Sequence, residues 1–213
     1  MKSRARCNVC GRVAKRICPV DNLPICSLCC AEKRNSYRCN ADCIYFKKWK
    51  DEQESRFHEY YSRYLQSLSK GELEDLRENF QTQRAFRYIL ANSLDGSINY
   101  TDEDARQFLA FLRDFLRIRK SGIIYTPPFQ SDRVERWLNK FMREIENFAK
   151  TGYRIGDEDL LRCVSREESL LKFFKEHYIS GNPYIGQLLF SLMNKDQESR
   201  KIISPHESRL ILP

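Results

Sequence analysis

Eight of the chain's nine cysteines stand before residue 44, at Cys7, Cys10, Cys18, Cys26, Cys29, Cys30, Cys39 and Cys43, and only Cys163 lies beyond them. Between Cys7 and Cys43 the apolar residues are Val9, Val13, Ile17, Val20, Leu23, Ile25 and Leu28. That is too little buried surface to hold a fold against chain entropy, so cross-links must supply what a core does not. Disulfides and metal coordination are the two candidates, and the cellular compartment separates them. Met1 to Arg6 is basic with no apolar stretch behind it, which is not a secretory signal, and the expectation is an intracellular protein, cytoplasmic or nuclear.

In a reducing compartment, the Cys-x-x-Cys pairs Cys7/Cys10 and Cys26/Cys29 read as zinc ligands, because two thiolates on one tight turn can both reach a small tetrahedral ion. Eight thiolates match two four-coordinate centres, hence two zinc ions per chain. The simplest assignment gives Cys7, Cys10, Cys26 and Cys29 to the first ion and Cys18, Cys30, Cys39 and Cys43 to the second. Each ion would then close a loop that carries ligands of the other. Iron–sulfur ligation also uses sets of four cysteines, but the interleaved pairs fit zinc better.

The run Cys7-Asn-Val-Cys10, Ile17-Cys18-Pro19, Pro24-Ile25-Cys26-Ser27-Leu28-x-Cys30 and Cys39-x-x-x-Cys43 resembles the HIT-type zinc finger, a relative of the MYND finger. The likeness covers residues 7–43. It implies a cross-braced, treble-clef-like pair of zinc sites used chiefly for protein interaction within larger nuclear or nucleoprotein assemblies. In the family's register the first site would be Cys7, Cys10, Cys26 and Cys30. The second would be Cys18, Cys39 and Cys43 with either Cys29 or Asp21, since Asp21 stands where the family has a cysteine and Cys39 where it has a histidine.

The formal charge of +8 is unevenly placed: residues 1–50 hold 12 Lys/Arg against 3 Asp/Glu, and residues 51–213 hold 25 against 26. Eight bound thiolates and two zinc ions would leave the first segment at about +5, still basic. Arg12, Lys15, Arg16, Lys33, Arg34, Arg38, Lys47 and Lys48 are therefore the candidate surface for a partner or for nucleic-acid phosphates. No fingertip helix of the two-cysteine, two-histidine kind accompanies them, so base readout is not indicated.

From residue 44 the hydrophobic period is helical almost throughout, which predicts a mostly α protein: a binuclear finger over 1–43, then a helical domain over 44–213. A long connecting helix is expected over about 44–69, with Phe57, Tyr60, Tyr61, Tyr64, Leu65 and Leu68 on one face. Aromatics at that spacing read as core more readily than as a stacking platform for bases. A second helix is expected over about 72–91. A third is capped by Thr101 with Asp104 and closed by Gly122, and a fourth follows Ser131 or Asp132. Ser165 with Glu168 suggests another capping box, and Pro183 to Met193 a last helix. The tail ends in the apolar peptide Leu210 to Leu212, which is expected to dock on the bundle or on a partner.

No sequence motif argues for catalysis. His58, His177 and His206 lack a metalloprotease or deaminase setting, and no phosphate loop, nucleophile elbow or dinucleotide fingerprint occurs. The triplets Asp102-Glu103-Asp104 and Asp157-Glu158-Asp159 read as helix starts rather than magnesium sites. Asp95-Gly96-Ser97 does not complete a calcium loop. Cys163 reads as a buried small hydrophobe. The sequence thus predicts a non-enzymatic zinc-binding adaptor with a protein partner in a larger complex, no membrane and no small-molecule substrate. A direct DNA- or RNA-binding regulator is the alternative, and a helical enzyme with a structural finger the third.

Overall fold

The computed structural model describes residues 5–35, 39, 42–94, 98–122, 131–177 and 181–193. Its elements are β1 (Arg16–Ile17), β2 (Pro24–Ile25), α1 (Ser27–Asn35), α2 (Ile44–Ser67), α3 (Lys70–Glu78), α4 (Phe80–Asn92), α5 (Asp102–Lys120), α6 (Asp132–Ala149), α7 (Asp157–His177) and α8 (Pro183–Met193). The class is therefore mostly α, as the periodicity predicts, with one two-stranded antiparallel ribbon in the cysteine-rich segment. Two compact units divide the chain, Met1–Arg63 and Tyr64–Pro213. The division falls inside α2.

The second unit is built around aromatic rings. Phe108 of α5 stacks on Trp137 of α6 with centroids 4.4 Å apart, Phe141 meets Phe108 and Phe86 edge-on, and Tyr100 lies 5.1 Å from Trp137. Offset-stacked and edge-on arrangements are the ones the ring quadrupoles favour. Trp137 is fully buried, so its indole N–H needs an acceptor; it donates to Ser93 Oγ at 2.7 Å, and Ser93 in turn donates to the Leu90 carbonyl. Helix α5 packs on α6, α7 and α8, and α4 packs on the same three. Along the α5/α7 seam Arg113 pairs with Glu168, Arg119 with Asp157 and Lys120 with Glu158, placing charge at the rim of an apolar contact.

The helix ends show which local signals prevail. Thr101 and Asp104 form the expected capping box at α5, Ser131 caps α6, and Gly122 stands at φ 76°, a left-handed conformation that glycine adopts freely. The expected helix over 72–91 is interrupted at Asn79, which separates α3 from α4. The Asn79 amide donates to the Asp75 carbonyl and carboxylate, a local side-chain bond that competes with helix continuation. A second capping box at α3, Ser69 with Glu72, lies at the start of this region.

Ser165 does not start a helix. Helix α7 already begins at Asp157, whose triplet of carboxylates sits at the positive end of the dipole, and Ser165 Oγ donates back to the Leu161 carbonyl in mid-helix. Cys163 lies within this helix, buried, and burial pushes its thiol up to about 12, so it behaves as the small hydrophobe expected. Helix α8 has the predicted bounds. The loop with Pro127 and Pro128, the Asp95 to Ser97 segment, His206 and the Leu210 to Leu212 tail fall outside the described residues.

Two polar devices join helices inside this unit. Glu167 of α7 is 1% exposed and accepts from the Gln83 amide of α4 at 2.7 Å and from the Tyr184 hydroxyl of α8 at 2.8 Å, with Arg87 Nε at 3.5 Å. Asp102, at the start of α5, accepts the backbone N–H groups of Tyr184 and Ile185 in the first turn of α8, while its own N–H donates to Asn182 Oδ1. Its carboxylate thus caps a helix other than its own.

Glu167→Ala is expected to cost about 3–5 kcal/mol in urea denaturation, because it removes the buried acceptor of the Gln83 amide and the Tyr184 hydroxyl and a charge partner of the half-buried Arg87; a loss below about 1 kcal/mol would disprove the network's structural role. Burial raises the Asp102 carboxyl above its ordinary value, so the folded state holds that proton more tightly than the unfolded chain does. This group's contribution to stability is therefore greatest in acid and falls as pH rises through the raised value. Asp102→Asn is expected to remove that slope from the pH dependence of the urea midpoint.

Candidate metal centre

The first four candidate ligands come from one turn and one helix start. Cys7 and Cys10 lie on a tight turn in which Cys7 N–H donates to the Arg12 carbonyl and Gly11 N–H to the Cys7 carbonyl, with Gly11 at φ 71°. A residue with a Cβ is strained there, so Gly11 fixes the sharpness of the turn. Cys26 immediately precedes α1, and its Sγ accepts the N–H of Cys29 at 3.5 Å. It is the helix N-cap, with sulfur in the place usually taken by a hydroxyl or carboxylate oxygen. Cys29 follows on the first turn of the helix, on the same side as its cap.

The Sγ atoms of Cys7, Cys10, Cys26 and Cys29 all lie within 4.8 Å of one another, and Cys10 and Cys26 are 3.6 Å apart. A tetrahedron with zinc–sulfur bonds near 2.3 Å has sulfur–sulfur edges of about 3.8 Å, so the group suits one zinc ion. The donors around it favour thiolate. The Cys26 backbone N–H lowers the Cys7 thiol to about 6, and the Cys29 N–H lowers the Cys26 thiol. Cys29 moves the other way, raised first by its hydrogen bond with Cys10 and then by burial. Four sulfurs so close cannot all be ionised without a cation to offset them, which is the electrostatic reason they belong around a metal.

The structure thus brings Cys29, not Cys30, to Cys7, Cys10 and Cys26. The helical turn explains the choice: Cys30 N–H continues the helix by bonding the Cys26 carbonyl, while Cys29 occupies the position that faces the cap sulfur. Asp21 also has another partner, the ammonium of Lys33.

The turn at Cys18 repeats the turn at Cys7. Cys18 N–H donates to the Leu23 carbonyl and Asn22 N–H to the Cys18 carbonyl, the same spacing of bonds, with Asn22 at φ 54° in place of Gly11. Asparagine is the non-glycine residue that best tolerates that conformation. Asp21 therefore occupies in the second turn the place of Cys10 in the first. Cys18, Cys30 and Cys43 are buried and Cys39 is half-buried. Burial raises the Cys39 thiol, and the sulfurs of Cys30, Cys43 and Cys18 raise it further. Among the described residues, however, only Cys7, Cys10, Cys26 and Cys29 are gathered within 4.8 Å of one another, and the expected second set is not brought together in that way.

The basic residues are distributed less evenly than their sequence suggests. Arg12, Lys15, Lys47 and Lys48 are exposed. Arg16 turns inward to lay its guanidinium over the Tyr45 ring at 3.9 Å, and Arg34 donates to the Tyr45 carbonyl at 3.3 Å. Lys33 is held by Asp21, and Lys47 lies 3.8 Å from the exposed Asp42. Arg38 lies outside the described residues. Of the aromatic cluster on α2, Tyr64 is buried against Phe173, whereas Phe57 and Tyr61 stack half-buried and Tyr60 lies beside the Arg63 guanidinium.

No family model matches the chain, and neither a curated protein nor a solved structure matches it. Among the described residues no helix is long and apolar enough to cross a membrane.

The Cys10→Ser chain is expected to carry one zinc equivalent less than the unsubstituted chain by elemental analysis, because three thiolates and a hydroxyl bind zinc far more weakly than four thiolates do. Equal zinc content in the two would overturn the assignment of this cluster.

Proposed function

We propose that the chain is a zinc-binding adaptor whose N-terminal finger, held by two zinc ions, presents a basic surface to a protein partner within a larger intracellular complex. The observation that carries this is the cluster of Cys7, Cys10, Cys26 and Cys29, drawn from two separated pairs and completed at a helix cap. The second ion is assigned to Cys18, Cys30, Cys39 and Cys43. The repeated turn at Cys18 and the burial of Cys18, Cys30 and Cys43 support it.

The order of turn, ribbon, turn and helix fits a treble-clef-like finger of the HIT/MYND kind, with Cys29 and Cys30 exchanged relative to that register. A site of four thiolates is coordinatively closed and leaves no position for substrate, so its use is structural and the reading is non-enzymatic. When bound, the metal supplies cross-links that the segment's own apolar residues cannot. The chain's part is to supply the thiolates, the backbone donors that stabilise them and the surface that coordination holds in place.

Direct binding of DNA or RNA is the second reading, favoured by Arg12 and Lys15 standing exposed in a stretch of 20 residues with no Asp or Glu. Two zinc per chain are expected by elemental analysis, with the helical circular dichroism of residues 64–213 surviving a strong chelator. One zinc or none would overturn the two-ion assignment. Retention on random nucleic acid at physiological salt, abolished by Arg12→Glu with Lys15→Glu, would replace the protein-partner reading by the nucleic-acid one.

A further inference from the structure

The ribbon that carries Cys18 is patterned in reverse. From Val13 to Cys18 exposure alternates strictly: Val13, Lys15 and Ile17 face solvent, Ala14 and Arg16 are half-buried, and Cys18 is buried. In a strand with one buried face, the β-branched apolar residues ordinarily turn inward. Here the thiol turns inward and the aliphatics turn out, with Val13 46% and Ile17 55% exposed. Cross-strand neighbours share a face, so the pairs Arg6 with Val13 and Ile17 with Pro24 extend the same surface. Val20 and Leu23, exposed on the turn that follows β1, adjoin it in sequence.

Charge limits what can cover such a surface. Residues 1–20 contain six Lys/Arg and no Asp or Glu, and the first carboxylate, Asp21, is engaged by Lys33. Lys15 stands between Val13 and Ile17 on the face, and Arg6 pairs beside Val13. A second copy of the same face would set like charges against one another. Unpaired bases seek aromatic faces, yet the exposed residues of the ribbon are aliphatic, and the Tyr45 ring is already covered by Arg16. Residues 194–213 carry four Lys/Arg against three Asp/Glu, a net basic balance that does not complement a basic face.

We infer that the outward face of the ribbon, Arg6, Val13, Lys15, Ile17 and Pro24, is a docking surface for a partner segment that combines acidic residues with aliphatic anchors. This rests on the adaptor reading above and names the partner's chemistry. Aliphatic side chains of the partner cover Val13 and Ile17, while its carboxylates meet Lys15 and Arg6. The apolar contacts supply affinity, and the charge pairs supply selectivity against basic and neutral segments.

The test selects binders from a random 12-residue phage-displayed peptide library on the immobilised, zinc-loaded full chain. Enriched sequences rich in Asp/Glu and in Val, Ile or Leu are expected. Their synthetic peptides should lose at least about tenfold in affinity on both Ile17→Ser and Lys15→Glu. Enrichment of basic or purely polar peptides, no enrichment, or equal binding by both variants would overturn the inference. Zinc content and circular dichroism of each variant are measured in the same preparations. If the chain retains two zinc and its fold but shows no such selection, the surface assignment fails while the zinc reading stands; if the unsubstituted chain lacks zinc, the underlying reading fails first.

Discussion

Cys26 is the point on which the finger depends. Its sulfur closes the group formed with Cys7, Cys10 and Cys29, its position caps α1, and its carbonyl accepts the helical bond from Cys30. The thiolate, the helix dipole and the metal charge all act in one sense there: a negative sulfur at a helix N-terminus is favoured by the dipole and by a cation alike. The ribbon also ends there, since β2 runs directly into Cys26 through buried Ile25. A metal ion held by this group would therefore fix the helix, the ribbon and the first turn through one atom.

The second unit satisfies the same requirement, unique structure, by other means. Its centre is aromatic and aliphatic, with Trp137, Phe108, Phe141, Phe86 and Tyr184 fully buried. Such packing stabilises without specifying one arrangement of similar helices. Specification falls to the few polar groups inside. Glu167 requires α4, α7 and α8 to meet in one register, Trp137 requires Ser93 at the end of α4, and Asp102 ties the start of α5 to the start of α8. A buried carboxylate is stable only when its donors are in place, so a mispacked helix leaves an uncompensated charge, a large penalty that enforces the native order.

Much of this was legible in the sequence because it rests on local chemistry. The capping residues Thr101 with Asp104 and Ser131, the bounds of α8 and the first cysteine set all follow from spacing within a few residues. What was not legible depends on distant partners or on competition between local signals. Ser165 with Glu168 carries a valid capping pattern, yet the carboxylates of Asp157 and Glu158, paired with Arg119 and Lys120 of α5, stand at a helix start well before it, and α7 begins at Asp157. Asn79 breaks a helix because its amide reaches Asp75, and Arg162 from α7 then holds its oxygen at 2.8 Å. Glu167 and Asp102 read as ordinary surface carboxylates, and nothing local announces that one is buried and the other caps α8. The equivalence of the turns at Cys7 and Cys18 was within reach: Gly11 and Asn22 each stand four residues after the cysteine, and both residue types tolerate positive φ.

The cysteine cluster and the exposed aliphatics are two sides of one constraint. A segment held by thiolate coordination need not spend its apolar side chains on a core, whereas a helical bundle must. The distribution of exposed large apolar residues follows that difference: among the described residues, Val9, Val13, Ile17, Val20, Leu23, Leu28, Ile44 and Tyr45 precede residue 46, and Tyr153 alone lies beyond it. Ile25, buried beside the cysteines, is the apolar residue the finger does consume. The rest stay outside at a cost in hydration that folding does not recover, and only contact with another surface removes that cost. The basic residues among them repel a like surface and attract an acidic one, so the physics that frees the aliphatics also narrows what can cover them.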